Sequence, residues 1–163
     1  MNFDRWIILG ILVLSIISLK LLVPKEKVRD AWVIFLFLQV ITWPAGLIAV
    51  EMDWIEYPIQ LYPKANVYNR TSFSFEFFLF PVVTIIFSLF FPRNKKLLEL
   101  MMYYLFFAGF FTVMEILLEA NTRLVKYHEW KWYWTLGTVI ISLYLNHKFY
   151  RWFRKRLIRV ELK

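Results

Sequence analysis

Five apolar segments of roughly twenty residues each constrain the fold of this chain more than any other feature. They cover residues 6–23, 31–50, 73–91, 97–118 and 132–150. A bilayer core about 30 Å thick is crossed by roughly 20 apolar residues in a helix. Pro24 and Pro92 follow the first and third segments, where a residue without an N–H ends a helix. The sequence therefore predicts one domain over residues 1–163, an all-α integral membrane bundle of five transmembrane helices.

Composition supports membrane insertion. The chain is 60% hydrophobic, whereas globular domains carry roughly 45–50% apolar residues. The first segment is longer than the usual apolar core of a signal peptide, about 7–15 residues, and lacks a small-residue cleavage motif, so we expect it to be retained as a helix. The chain contains no cysteine, which excludes disulfides, thiolate metal sites and a cysteine nucleophile.

The distribution of basic residues predicts the orientation. With five spans, six Lys and Arg residues lie on the side of the N-terminus and fourteen on the opposite side. Cytoplasmic loops carry the excess of positive charge, which places the N-terminus outside and the C-terminus in the cytoplasm. The loop over 51–72, which contains Trp54 and Tyr57, is then extracytoplasmic, and its aromatic residues suit the membrane interface.

Acidic residues near the outer face form the main candidate site. Glu76 and Glu115 each lie about one turn inside a predicted span, at the same depth. Carboxylates at such positions usually face the protein interior or a water-filled cavity. The candidate ligand-binding set is Glu51, Glu76, Glu115, Glu119 and Arg123, with Arg123 as counter-charge. The alternative is that both helices end a turn earlier and leave the acids among the lipid headgroups.

Polar and small residues recur at helical spacing inside three spans. The rows are Gln39, Thr42, Gly46 and Ala49, which Asp53 would extend; Tyr104, Ala108, Thr112, Glu115 and Glu119; and Thr135, Thr138, Ser142 and Asn146. Such rows let membrane helices approach closely and form hydrogen bonds, so helix packing explains them without a ligand. Secondary candidates for the outer site are Gln39, Trp43, Tyr57, His128 and Trp132.

Familiar catalytic and cofactor motifs do not occur in the sequence. Neither His128 nor His147 follows a Glu at the spacing of a di-iron site, and two distant histidines are too few for zinc hydrolysis. Nucleophile-elbow, phosphate-loop and dinucleotide motifs are missing from the sequence. No cofactor and no reaction are predicted. A hard cation such as Ca²⁺ on the four glutamates of the candidate set is a weaker alternative.

The C-terminal segment HKFYRWFRKRLIRVELK alternates basic and aromatic residues directly after the last span. A basic cluster on the cytoplasmic side attracts anionic lipid, by about 1 kcal/mol per charge. The predicted lipid-contacting residues of this tail, residues 151–163, are Arg151, Arg154, Lys155, Arg156 and Arg159. Membrane lipids are therefore the expected partners, together with a second copy of the chain or another membrane protein, and nucleic acid is not expected.

Several stretches resemble a family of uncharacterised multi-span membrane proteins of Gram-positive, spore-forming bacteria. They are RDAWVIFLFLQVITWPAGLIAVE, IEYP, SFSFEFFLFPVV and a glutamate late in the fourth span. The matching positions are Arg29, Gln39, Thr42, Trp43, Glu51, Tyr57, Pro58, Phe75, Glu76, Pro81, Glu115 and Trp132. The resemblance implies a bacterial cytoplasmic membrane and no established activity, and it adds weight to Glu51 and Glu76.

Two functions follow as hypotheses. The first is a structural or accessory membrane protein that packs against partners through its small and polar rows. The second is a small transporter or membrane enzyme, whose outer acidic pocket binds a cation, an amine or a lipid headgroup. The sequence favours the first, because no motif in it carries chemistry.

Overall fold

Five α-helices make up most of the computed structural model, which describes residues 3–62, 71–92 and 95–161. They are α1 (Phe3–Leu22), α2 (Val28–Glu51), α3 (Phe80–Leu89), α4 (Leu97–Asn121) and α5 (Trp132–Glu161). A 3-10 turn (Lys25–Lys27) precedes α2, and a π-helical turn (Phe75–Leu79) leads into α3. The prediction of an all-helical chain with five helices is confirmed.

Helix α3 is the centre of the bundle. Eight of its ten residues are buried, and it packs against α1, α2, α4 and α5. Pro81 lies in its first turn, directly after the π-helical turn that interrupts the α-helical hydrogen-bond pattern. The other four helices therefore surround α3 and carry most of the bundle's outer surface.

The outer surface of the bundle is apolar, and its interior carries polar side chains. On α5, Trp134, Ile141 and Leu145 are 41–58% exposed, whereas Thr135, Ser142 and Asn146 are at most 8% exposed. A water-soluble bundle has the opposite arrangement, because exposed apolar surface is unfavourable in water. The amide of Asn146 donates to the carbonyl of Ile34 across 2.9 Å, so a polar contact joins α5 to α2.

Three helices are long and apolar enough to cross a membrane: α1, α2 with its preceding turn, and α4. The segment Phe75–Leu89 is equally apolar but shorter; at about 1.5 Å per residue it measures roughly 22 Å. Helix α5 is less apolar because polar residues line its inner face and its last turns are basic. The number of spans and their orientation remain predictions.

A short two-stranded antiparallel sheet lies at one end of the bundle. Strand β1 (Ile55–Glu56) pairs with β2 (Lys126–Tyr127), with Ile55 opposite Tyr127. Asp53 turns the chain between α2 and β1 in the left-handed region, with φ 53°, a conformation that Asp tolerates better than most residues. The backbone carbonyl of Trp54 then accepts hydrogen bonds from the backbone N–H groups of His128 and Trp130. The loop after α2 is thereby fixed against the loop after α4.

At the opposite end, the basic segment continues α5 as helix and contacts α2. Asp30 is 3% exposed; its carboxylate accepts the Tyr150 hydroxyl at 2.9 Å and lies 3.5 Å from Arg154 and 3.4 Å from Lys27. Arg154 was predicted to contact lipid, but the structure pairs it with Asp30, because its position on α5 faces the start of α2. Arg156 instead lies over the Trp152 ring, and the Arg159 side chain lies outside the described part.

Candidate functional site

A cavity of about 160 Å³ lies between α2, the π-helical turn, α4 and α5, beneath the two-stranded sheet. Glu76 and Glu115 both line it, from different helical segments. The other polar side chains in its wall are Thr42, Tyr57, Trp130, Thr135, Thr138 and Ser142. Most of the remaining wall is aliphatic or aromatic. Glu76 and Glu115, the two acids predicted at equal depth, thus line the same cavity.

The π-helical turn sets the backbone position of Glu76. The N–H of Phe80 donates to the carbonyl of Phe75, so it is not given to Glu76 as in an α-helix. Pro81, the next residue, has no N–H to offer. The side-chain amide of Gln39 on α2 donates to the Glu76 carbonyl instead, at 2.8 Å. Local π-helical turns often mark functional sites, and here one presents a carboxylate to the cavity.

The Glu76 carboxylate lies directly against the backbone of α2. A Cβ placed on Gly46 would lie 3.2 Å from the Glu76 carboxyl carbon and still closer to its Oε1. Glu76 is 9% exposed, and its carboxylate forms a hydrogen bond with Thr71. Its Oε2 atom is buried and has no hydrogen-bond partner among residues 3–62, 71–92 and 95–161. Within these ranges, one oxygen of this carboxylate is therefore left without a hydrogen-bond donor.

Glu115 accepts hydrogen bonds from a residue of β2 and from a residue of α5. Its Oε1 accepts the Tyr127 hydroxyl at 2.5 Å and the Thr135 hydroxyl at 2.9 Å. The indole N–H of Trp130 donates to the Thr135 oxygen at 2.7 Å. Two donors from different parts of the fold thus hold the carboxylate directly, and Trp130 supports it through Thr135.

Two tyrosines at this end keep their protons over a wide pH range. Burial raises the pKa of the Tyr57 phenol well above its usual value, and the Glu115 and Glu76 carboxylates raise it further. Burial also raises the pKa of Tyr127, and the Glu115 carboxylate adds to that increase. Both phenols are thus neutral hydrogen-bond donors near pH 7, which suits Tyr127 as a donor to Glu115.

Three residues of the predicted site do not line the cavity. Glu51 is exposed, because Ala49 and Val50 take the buried positions at the end of α2. Glu119 lies one turn beyond Glu115 and does not line the cavity. Arg123 is exposed, and its backbone N–H donates to Asp4 at 3.2 Å. The hypothesis that Glu51 faces Glu76 and Glu115, with Arg123 as counter-charge, does not agree with this placement.

The secondary candidates are divided in the same way. Tyr57 lines the cavity and Gln39 supports Glu76, whereas Trp43 and Trp132 are 44% and 52% exposed. His128 lies on the surface, with its Nε2 3.1 Å from the Glu56 carboxylate. Trp130 and Tyr127 were missed, because their roles depend on the pairing of β1 with β2. Gly46 and Thr135 belong to the predicted rows, although their contacts with the acids could not be read from spacing.

The hard-cation alternative places four glutamates around one ion. Within the described ranges, no group of three or more His, Cys, Asp or Glu side chains is arranged to hold a metal ion. A Ca²⁺ site takes about 6–8 oxygen ligands, whereas only two of the four proposed glutamates line the cavity.

Comparison of the chain with protein-family models, curated proteins and solved structures gives no match. The resemblance to a family of bacterial spore-formers therefore remains a prediction.

Proposed function

We propose that this chain is a multi-pass membrane protein that binds a small organic cation, with Glu76 and Glu115 as the charged groups of the site. One observation carries the proposal: two carboxylates share a largely apolar cavity that no Lys or Arg lines within the described chain. This is the site-bearing alternative of the sequence analysis, not the accessory role that the sequence alone favours.

The energetic argument starts from the cost of burying charge. A carboxylate removed from water is stable only when a hydrogen bond, a proton or a cation compensates it. Glu115 accepts two hydroxyl groups, but Glu76 retains a buried oxygen without a partner in the described chain. A ligand that brings a positive N–H group supplies the missing donor and the missing charge together.

The walls suit an organic cation better than a hydrated ion. Phe75, Tyr57 and Trp130 contribute aromatic surface to the cavity, and aromatic faces attract organic cations. The volume of about 160 Å³ is close to that of an engineered cavity of about 150 Å³ that binds benzene. A primary ammonium on a single ring or a short alkyl chain is the expected ligand class.

The membrane setting rests on the apolar outer surface of the bundle and on three helices of spanning length. With five spans and the basic tail in the cytoplasm, the cavity lies near the outer face, on the side of the loop over residues 51–62. The protein would then receive its ligand from outside the cell membrane, as a receptor component or a transporter does.

Calorimetric titration of the full chain in detergent micelles tests the proposal. Benzylamine, which is a cation at pH 7, is compared with benzyl alcohol, a neutral molecule of nearly the same shape. We expect benzylamine to bind and to raise the melting temperature, and benzyl alcohol to bind at least about tenfold more weakly, since a charge-assisted hydrogen bond contributes about 1.5–3 kcal/mol.

Isosteric variants identify the site. Glu76→Gln and Glu115→Gln should each weaken benzylamine binding by about tenfold or more, whereas Glu51→Gln and Glu119→Gln, which remove the same charge outside the cavity, should leave it unchanged. Equal affinity for the two probes, or equal losses in all four variants, would refute the proposal.

A further inference from the structure

The end of the bundle that carries the basic tail contains a second, larger groove, distinct from the acidic cavity. Its volume is about 610 Å³, and it lies between the end of α3, the first turns of α4 and the last turns of α5. Because α5 is helical to Glu161, tail residues three and four positions apart lie on one face. Lys148, Arg151 and Lys155 meet this spacing, and all three line the groove.

Three basic side chains give the groove a positive charge. Lys148, Arg151 and Lys155 are exposed, and none of them forms an ion pair with a carboxylate in the described part of the chain. No Asp or Glu is among the described residues that line the groove. Tyr144 supports one of the cations, since the Lys148 ammonium lies 5.6 Å from the centre of its ring. The three charges therefore converge on a space that no acidic side chain of the described chain lines.

The opposite wall of the groove is apolar. Leu97, Leu100 and Met101 from the first turns of α4 line it, and Leu97 and Met101 are 74% and 53% exposed. A free inorganic anion gains nothing from this wall. A molecule with a negative head and hydrocarbon chains contacts both walls at once, with its head at the cations and its chains along α4.

We propose that this groove is a binding site for an anionic phospholipid, with the lipid phosphate between Lys148, Arg151 and Lys155 and an acyl chain along the α4 wall. Basic pockets between membrane helices on the cytoplasmic side bind anionic headgroups in this way. Trp152 also lines the groove, and tryptophans are enriched at the headgroup level of membranes. The site differs from a diffuse basic surface, because Arg154 of the same tail is taken by Asp30.

Lipid binding by the purified full chain tests this site. The chain is reconstituted in nanodiscs of phosphatidylcholine with increasing phosphatidylglycerol, and bound lipid is counted by native mass spectrometry after release. We expect retention of one phosphatidylglycerol per chain. Replacing Lys148, Arg151 and Lys155 together with Gln should lower its apparent affinity about 100-fold, from roughly fivefold per cation.

The matched control is a second triple variant, Lys25→Gln with Arg29→Gln and Arg156→Gln. It removes three exposed charges from the same end of the bundle, but none of these residues lines the groove. The affinity of this control variant for phosphatidylglycerol should fall by less than about fivefold, which is the effect of one cation. Equal losses in the two variants would show a diffuse surface and overturn the proposal.

Two further outcomes decide between ligand types. Inorganic phosphate that displaces phosphatidylglycerol at millimolar concentration would show that the apolar wall contributes nothing, which would also overturn the proposal. If the groove triple variant does not fold, Met101→Glu, which places a negative charge on the exposed α4 wall, should weaken phosphatidylglycerol binding by about tenfold, and unchanged binding would be the contrary result.

Discussion

Gly46 and Glu76 are in such close contact that α2 can carry only a hydrogen atom at the point where the carboxylate lies. A Cβ at Gly46 would meet the Glu76 carboxylate, whereas a Cβ at Gly10, Gly109 or Gly137 would meet nothing within 4 Å. The small residue thus has a specific purpose at this position. It lets a buried carboxylate lie against a helix and point into the cavity.

Replacing Gly46 with Ala should destabilise the protein and displace Glu76. Overpacking a filled site typically costs about 1–3 kcal/mol, which outweighs the gain of up to about 1 kcal/mol that Ala gives over Gly in a helix. Gly109→Ala is the matched control, since it brings the same helical gain into open space and should leave the melting temperature unchanged or raise it. Thermal unfolding in micelles measures both, and equal shifts in the two variants would show that the contact is not tight.

Removing the amide of Gln39 should weaken the π-helical turn. In Gln39→Leu, the Glu76 carbonyl loses its donor at 2.8 Å, and an unsatisfied buried acceptor costs about 1–3 kcal/mol. Thr112→Val is the control, because the Thr112 hydroxyl donates to the Ala108 carbonyl of its own helix and has no other recorded partner among the described residues. Amide hydrogen exchange should increase over residues 75–80 in the first variant only. Exchange that does not change there would mean that the turn is stable without Gln39.

The helices and the depth of the two acids could be predicted from the sequence, because apolar segment length and residue position are local properties. Glu76 and Glu115 were found in this way, although the cavity between them could not be. Glu51 was wrongly included in the predicted site, because the sequence does not distinguish an exposed acid at a helix end from a buried one. Its exposure depends on which face of α2 packs inward, and Ala49 and Val50 decide this.

The rest of the site depends on contacts between distant parts of the chain. Tyr127 reaches Glu115 only because β2 pairs with β1 after Asp53 turns the loop. The π-helical turn does not follow the 3.6-residue period by which helices are recognised, so the role of Gln39 was not visible. Asp30 was likewise missed, since its partner Arg154 is more than 120 positions away in the chain.

Because the Asp30 carboxylate is buried, its partner Arg154 should contribute more to stability than Arg156 does. Arg154→Gln removes a cation 3.5 Å from a side chain that is 4% exposed, which leaves a buried charge less compensated. We expect a loss of about 1–3 kcal/mol in the free energy of unfolding. Arg156→Gln removes the same charge from an exposed position over Trp152 and should change stability by less than about 0.5 kcal/mol. Denaturation in urea compares the two, and similar losses would argue against the Asp30 pairing.

Single cysteines test the orientation, because the chain has none of its own. Glu129→Cys lies just after β2, and Lys95→Cys lies just before α4. Both native side chains are exposed. A membrane-impermeant maleimide should label position 129 in intact cells and position 95 only after the cells are opened. Labelling of both positions from the same side would contradict the five-span orientation.

The location of a bound amine tests the central claim most directly. A structure of the full chain with 4-bromobenzylamine, solved from crystals with data collected at the bromine absorption edge, shows the ligand through its anomalous signal. We expect one bromine peak inside the cavity against the ring of Phe75 or Trp130, with the ammonium within hydrogen-bond distance of Glu76 Oε2, and no peak there in Glu76→Gln. A bromine peak only on the apolar outer surface, or the same peak in the Glu76→Gln crystals, would contradict a cation site built on the two carboxylates.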